Sequence, residues 1–414
     1  MSTPPRTSVG PWWPEHSHRS ERRSYARHAP CTEEAAVTAA HQFLVTCMVF
    51  HAGIVGLAVW IGRAWLVGRD WRTHPKHRSM VLGTSGLLVA IAAWAALCSL
   101  IGPRSGFTII RLISQALFSE VLLLSMFVAA AEYRSSPTRA LAGALVPLGL
   151  LGIYWDAYHR EPTALEVRTH DLDLSHGTSV GRLRLLHLSD LQCDQIGAFE
   201  ERVIEEARRL APDLVVWTGD YVQPRLAPTR RETEARFRET LVRHPIQARF
   251  GSYAVRGDVD IDWPQVVAGT EIVPLSGTSL RLDLPGGRTL RLIGLHPGAS
   301  RGNDARALSQ MLGDAKDGEL RIIVGHNPGF VRLLPGLGRV DLALAGHTHG
   351  GQVVLPFLGA LYTKSPLPQR YASGLEEFEG LPIHVSAGIG MERGTAPQVR
   401  FLCPPEICLL DIRY

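Results

Sequence analysis

Apolar residues follow two different patterns along this 414-residue chain. Up to about residue 156 they come in long blocks, at 43–67, 81–102, 107–131 and 140–156. The first three are long enough to span a bilayer, which takes roughly 20 residues. The fourth is near the lower limit and contains Pro147. The third carries Arg111, Gln115 and, near its middle, Glu120, a group that in a membrane should face the bundle interior or a partner. A polar clasp between helices accounts for it, and so does a substrate or proton path. This pattern predicts a disordered, basic tail over 1–36 and a membrane region of about four transmembrane helices over 37–160.

Beyond residue 161 the apolar runs shorten and alternate with helical patterns. They are Leu183–Leu188, a helix near Ala198–Leu210, Leu214–Trp217, Ser252–Val255, Leu290–Gly294, Leu320–Val324, Asp341–Ala345, Ile383–Ser386 and Ile407–Ile412. Strands alternating with helices read as a sheet covered by helices, and the strand-rich second half as a second sheet packed on the first. Residues 161–414 are therefore expected to form one α/β domain.

Composition supports the division. Apolar residues make up 45% of the chain and charged residues 20%, with a net charge of +4. Basic residues lie beside the apolar blocks (Arg69, Arg72, Lys76, Arg78; Arg134, Arg139), which speaks for membrane topology rather than nucleic-acid binding. With those loops in the cytoplasm, the C-terminal domain is expected outside it, at the cell membrane; keeping the basic tail inside would place that domain in the cytoplasm instead. Six cysteines without a C-x-x-C pair make neither a disulfide framework nor a zinc ribbon.

The chemistry sits just past the strands. Ser189-Asp190-Leu191-Gln192, Thr218-Gly219-Asp220, Arg256-Gly257-Asp258-Val259-Asp260, Gly325-His326-Asn327-Pro328 and Gly346-His347-Thr348-His349 each follow an apolar run. Ligands of α/β sheets bind at the carboxyl ends of strands. Asp190, Gln192, Asp220, Asp258, His326, His347 and His349 offer oxygen and imidazole ligands without a thiolate. That mix suits Mn, Fe or Zn ions. Seven ligands are too many for one four-coordinate ion and fit two divalent metal ions sharing a carboxylate. Such a pair can generate hydroxide at neutral pH and clamp both oxygens of a displacement at phosphorus.

These blocks resemble those of the calcineurin-like metallophosphoesterases, in particular bacterial membrane-attached members. The extended run Gly346–Gln352, Tyr371-Ala372-Ser373-Gly374 and Arg400-Phe401-Leu402-Cys403-Pro404-Pro405-Glu406-Ile407 make the resemblance specific. It implies a four-layer αββα sandwich. By position, it places Asp190, Gln192, Asp220 and His349 on a first metal and Asp220, Asp258, His326 and His347 on a second, with Asp220 bridging. Three places depart from the pattern. Gln192 stands where His is usual, Asp258 where Asn is usual, and Val259 where a His usually assists at the phosphoryl or leaving group. A leaving group needing little protonation, such as a phosphate, tolerates valine best. His296, after another strand, is a candidate replacement or a loop histidine.

The expected function is a membrane-anchored hydrolase of a phosphodiester or pyrophosphate, with a phosphoester substrate that can be a membrane lipid and no nucleic-acid partner. The alternatives are a metal-binding pseudoenzyme and a sensor or regulatory membrane protein.

Overall fold

The computed structural model describes residues 45–54, 93–94, 97–98, 106–123, 125–126 and 137–414, the last with breaks at 176, 178–179, 225–228, 314–315 and 317. The chain divides into two compact units, Met1–Ser105 and Gly106–Tyr414. In the first, residues 45–54 are helical, and Trp94 Nε1 donates to the Phe50 carbonyl at 3.0 Å. The basic tail and most of the first two apolar blocks lie outside the described residues.

Among the described residues no helix is long and apolar enough to cross a membrane. The transmembrane reading of the third and fourth blocks therefore finds no support in the described residues. The third begins as helix Gly106–Ala116, widens into a π-helical turn at Leu117–Val121 containing Glu120, and is helical again at 122–123 and 125–126. The fourth is helix Pro137–Trp155, with Pro147 and three glycines inside it. Both pack against loops of the domain that follows them. Phe107 meets Tyr362 edge-to-face at 5.0 Å, and Arg111 Nη1 donates to the Gly394 carbonyl at 3.4 Å. The Arg400 amide donates to the Ala157 carbonyl at 3.0 Å, and the buried Glu161 carboxylate accepts the amides of Leu402 and Cys403.

Two six-stranded sheets form the centre. The first runs β1 (Glu166–Asp173), β14 (Glu406–Arg413), β2 (Arg182–Leu188), β3 (Leu214–Trp217), β4 (Ser252–Ala254), β5 (Ile272–Pro274). The second runs β12 (Gly374–Phe378), β13 (Leu381–Val385), β9 (Leu342–Ala345), β8 (Glu319–Val324), β7 (Thr289–Gly294), β6 (Thr278–Asp283). From β2 to β5 all pairings are parallel, as they are from β7 through β8 and β9 to β13. All these strands therefore present their carboxyl ends at one edge of their sheet.

Alternation along each strand assigns the layers. Leu183, Leu185, Leu214, Val216, Leu410 and Ile412 meet Leu292, Ile322, Val324, Leu342 and Leu344 between the sheets. Leu186, Leu188, Val215 and Trp217 face outward, against Val203, Ile204 and Ala207 of helix Ala198–Arg209 and Phe237 and Leu241 of helix Arg230–Arg243. Ile323, Ala343 and Val385 cover the other outer face with Leu308 and Leu312 of helix Ala305–Leu312. The central strands β2, β3, β8 and β9 are buried on both faces, which is why they read as continuous apolar runs. The result is a mixed α/β, four-layer arrangement of helices, two sheets and helices.

Candidate metal centre

The segments leaving β2, β3, β4, β8 and β9 converge. His326 Nε2 lies 3.3 Å from Asp220 Oδ2 and 4.0 Å from Asp258 Oδ2. His347 Nδ1 lies 3.2 Å from Asp258 Oδ2 and 3.2 Å from His326 Nε2. His349 Nε2 lies 3.6 Å from Asp190 Oδ1. Two overlapping groups result, Asp258/His326/His347 and Asp190/Asp220/His326, each with ligand atoms within 4.8 Å of one another. Asp190, Asp220, His326, His347 and His349 are all buried. Gln192 is buried beside them, and its Nε2 donates to Gln223 Oε1 at 2.7 Å.

The backbone bends sharply to achieve this. Asp190, Gln192, Asp220, His347 and His349 all have positive φ, at 50°, 38°, 57°, 72° and 49°. Non-glycine residues seldom adopt this region, and such strain persists where surrounding structure enforces it. Here the enforcement is mutual. The Asp190 amide donates to the Gly219 carbonyl at 3.0 Å, the Gln192 amide to the Asp220 carbonyl at 2.9 Å, and the His347 amide to Asp190 Oδ2 at 2.9 Å. At Gly346 a Cβ would strike Ser189 Oγ and Asp190 Oδ2, so only glycine lets the β9 loop reach the β2 loop.

Hydrogen bonds also orient the imidazoles. His326 Nδ1 faces the Thr218 carbonyl at 2.7 Å and carries a proton, which turns Nε2 toward Asp220 Oδ2 and His347 Nδ1. His347 Nε2 faces the Lys364 carbonyl at 3.3 Å, leaving Nδ1 toward Asp258. This use of the second nitrogen is typical of metal-ligating histidines. Gln192 Oε1 and both ring nitrogens of His349 are buried without a hydrogen-bond partner among the described residues. Buried polar atoms are rarely left so. Together with the oxygen and nitrogen donor set, they fit a pair of divalent cations.

The electrostatics ask for positive charge. Burial disfavours ionised groups here, yet the combined fields of Asp220, Asp190 and Asp258 hold His326 well above the ordinary imidazole range. Burial also pushes Asp190 up, reinforced by Asp220 and opposed by His326. Burial, then the His326 charge, lowers His347 to about 4. Burial, and then the charge of Arg400, holds His349 well below its usual range.

Several supporting residues are not among the seven candidate ligands. Asp260 is buried and accepts the amides of Asp220, Tyr221 and Gly257 at 3.0, 2.9 and 2.6 Å, tying the β3 loop to the β4 loop. Its place two residues after Asp258 was the only clue. The Arg301 guanidinium pairs with Asp258 Oδ1. Lys364 Nζ pairs with Glu392 Oε2 at 2.7 Å. The wholly buried Arg400 donates to the Ala387 and Gly388 carbonyls at 2.9 Å each and to the Cys403 carbonyl at 2.9 Å. Val259 contributes its amide, which donates to Asp220 Oδ1 at 2.9 Å. His296 is placed differently from the seven candidate ligands. Its Nδ1 accepts the Gly298 amide at 3.1 Å, capping helix Pro297–Ser300, and its Nε2 lies 3.9 Å from Asp304 Oδ2.

Known proteins carry the same arrangement of sequence. Residues 183–351 match the family model described as calcineurin-like phosphoesterase. An uncharacterized metallophosphoesterase of Bacillus subtilis, YkuE, is 27% identical over 285 residues, covering 66% of this chain and 94% of its own length. The UDP-2,3-diacylglucosamine pyrophosphatase LpxG of Chlamydia trachomatis is 27% identical over 320 residues, covering 62% of this chain and 92% of its own. The phosphodiesterase YaeI of Escherichia coli is 33% identical over 93 residues, 22% of this chain and 32% of its own length. The match spans β2 through the His347–His349 loop: residues 183–351 carry a calcineurin-like phosphoesterase domain, and the similar proteins are metallophosphoesterases, hydrolases that act on phosphoester bonds.

Proposed function

We propose that the protein hydrolyses a phosphodiester or pyrophosphate at a dinuclear centre held by Asp190, Gln192, Asp220, Asp258, His326, His347 and His349. The observation that carries this reading is the pair of overlapping ligand groups around Asp220 and His326. Two divalent ions there supply Lewis acidity and make hydroxide accessible at neutral pH. The protein's own part is geometric. Thr218 and Lys364 hold His326 and His347 in the ligating tautomers, and Asp260 fixes the two acidic loops.

Valine at 259 offers no proton to a leaving group. This favours a leaving group stable as an anion, hence a pyrophosphate or an activated diester over an alkyl phosphodiester. The name of the LpxG relative, a pyrophosphatase of a diacylated sugar nucleotide, agrees with that chemistry and with a lipid-linked substrate. Attachment to the cell membrane through residues 37–160, with the catalytic domain outside the cytoplasm, belongs to the same reading. Its support is the series of apolar blocks and the exposed Leu141, Leu145, Leu148, Leu151 and Trp155 of helix Pro137–Trp155.

The test is turnover by the purified full-length protein of a diacylated pyrophosphate, a soluble pyrophosphate and an aryl phosphodiester with Mn²⁺, Fe²⁺, Co²⁺ or Zn²⁺. Asp220→Asn should reduce turnover by at least about a hundredfold, since even residues behind a ligand are worth 10–100-fold. Stoichiometric metal binding without turnover of any substrate supports a metal-binding pseudoenzyme instead. Reporter fusions at the C-terminus address sidedness, and a cytoplasmic signal would reverse the topology.

A further inference from the structure

A second cluster of ligand-type side chains lies between the sheets, away from the strand-end loops. His170 of β1, Cys408 of β14 and His384 of β13 each offer an atom within 4.8 Å of the others. His384 and Cys408 are fully buried, and His170 is half-buried at the edge strand β1. Cys408 is a free thiol. The Nε2 atoms of both His170 and His384 are buried without a hydrogen-bond partner among the described residues.

A chain of hydrogen bonds fixes the tautomer of His384. Ser189 Oγ donates to Asp190 Oδ2, and Thr218 Oγ1 donates to Ser189 Oγ at 2.6 Å. Thr218 has thereby used its only proton, so its contact with His187 Nε2 at 2.9 Å needs the proton on His187. His187 Nδ1 is then the acceptor in its 2.7 Å contact with His384 Nδ1. His384 must donate there, and its Nε2 is left as a bare lone pair in the core. A metal-ligating histidine has this form, with one nitrogen donating to a neighbour and the other free for the ion.

We propose that His170, His384 and Cys408 form a further metal site, distinct from the catalytic centre, that takes one thiophilic ion of the Zn²⁺ class. Two imidazoles and a thiolate suit such an ion, whereas the oxygen-rich catalytic centre does not select for thiolate-loving metals. The ion would tie β1 and β14 to β13 across the two layers. Half-buried His170 at the sheet edge gives it a way in. The hydrogen-bond chain through His187, Thr218 and Ser189 links the site to Asp190.

Cobalt distinguishes this site from the catalytic one, because only a thiolate gives a sulfur-to-cobalt charge-transfer band. Titration of the metal-free full-length protein with Co²⁺ should produce that band in the wild type. Cys408→Ser should abolish it and lower the bound cobalt by one ion per chain. Cys193→Ser and Cys403→Ser should keep it. His170→Asn, at a half-buried edge position, should weaken the cobalt affinity read from the band by at least about tenfold, as losing even a supporting group does at metal sites. A wild type without the band overturns the site, as a thiol merely hydrogen-bonded to His384 predicts. A band that survives Cys408→Ser, or is lost in Cys403→Ser, also overturns it. Should Cys408→Ser fail to fold, an unchanged cobalt affinity in His170→Asn overturns it equally.

Discussion

The carboxylate of Asp260 accepts the backbone amide of Asp220 at 3.0 Å, so the most central acidic residue of the metal centre is held by another acid that touches no ligand atom of its own. Asp260 also takes the amides of Tyr221 and Gly257. Burial, and then the charge of Asp220, pushes its carboxyl up to about 6. The fold accepts two neighbouring carboxylates here because three amides donate to Asp260 and the His326 imidazole faces Asp220. Asp260→Ala should leave three buried amides unpaired and loosen both loops at once. Metal affinity, measured by competition with a chelator, should fall about 10–100-fold. Affinity within twofold of wild type would remove Asp260 from the positioning of the site.

Position 259 offers a gain-of-function test. The Val259 amide is used, but its side chain is not needed for the bond to Asp220. Val259→His should keep the loop and add a proton donor. Rates on alkyl phosphodiesters should rise by roughly 10²-fold, toward the range of general acid catalysis, while rates on pyrophosphates change little. The comparison of kcat between the two substrate types decides the point. Equal effects on both would mean that leaving-group protonation is not what position 259 controls.

Acid should destabilise the fold through His187. Burial lowers its imidazole from near 6.5 to about 3. The unfolded chain takes up a proton as pH falls below 6.5, and the folded protein does so only near 3. The stability held by the neutral ring is complete above 6.5 and is lost progressively toward 3, at up to about 1.4 kcal/mol per pH unit. Urea unfolding between pH 7 and 5 should show this slope, and His187→Gln should flatten it by one proton. A slope unchanged in the variant would place the acid sensitivity elsewhere.

Arg400 should be irreplaceable by lysine. Its guanidinium spans the carbonyls of Ala387, Gly388 and Cys403 from full burial, a fork that one ammonium cannot reproduce. Unpaired buried acceptors cost about 1–3 kcal/mol each. Arg400→Lys should therefore lower unfolding free energy by at least about 2 kcal/mol, read from denaturant midpoints, with loss of metal affinity because Gly388 lies against Asp190. Wild-type stability in the lysine variant would show that the carbonyls find other partners.

The strands that carry ligands were legible because burial on both faces makes them plain apolar runs, and each run ends abruptly at Asp190, Asp220, Asp258, His326 or His347. Strands with one wetter face were harder to see. β1 and β6 alternate exposed and half-buried residues, and neither stands out as an apolar run. The supporting residues were hidden for a different reason. Arg400 and Asp260 act through backbone groups distant in sequence, and no local pattern reports such contacts. The helices at 106–160 looked like a separate membrane layer from hydropathy alone. Phe107, Arg111, Ala157 and Glu161 also dock on the loops around Tyr362, Gly394 and Arg400–Cys403, contacts that apolar content cannot announce.

The place of β14 has a consequence for how the molecule comes to be folded. This strand is the last of its sheet in sequence, yet it fills the gap between the first two, pairing Glu166 with Glu406 and His187 with Cys408. Every candidate ligand from Asp190 to His349 is synthesised before it. Until β14 arrives, β1 and β2 have no common neighbour, and the strand that delivers Asp190 is an open edge. Pairings between such distant segments form slowly. The nascent chain thus passes through a period in which all the ligands exist but their scaffold does not, and an open β2 edge is then exposed to other chains. Completion of the candidate metal centre is a late event in folding, timed by a strand that contributes none of its seven candidate ligands.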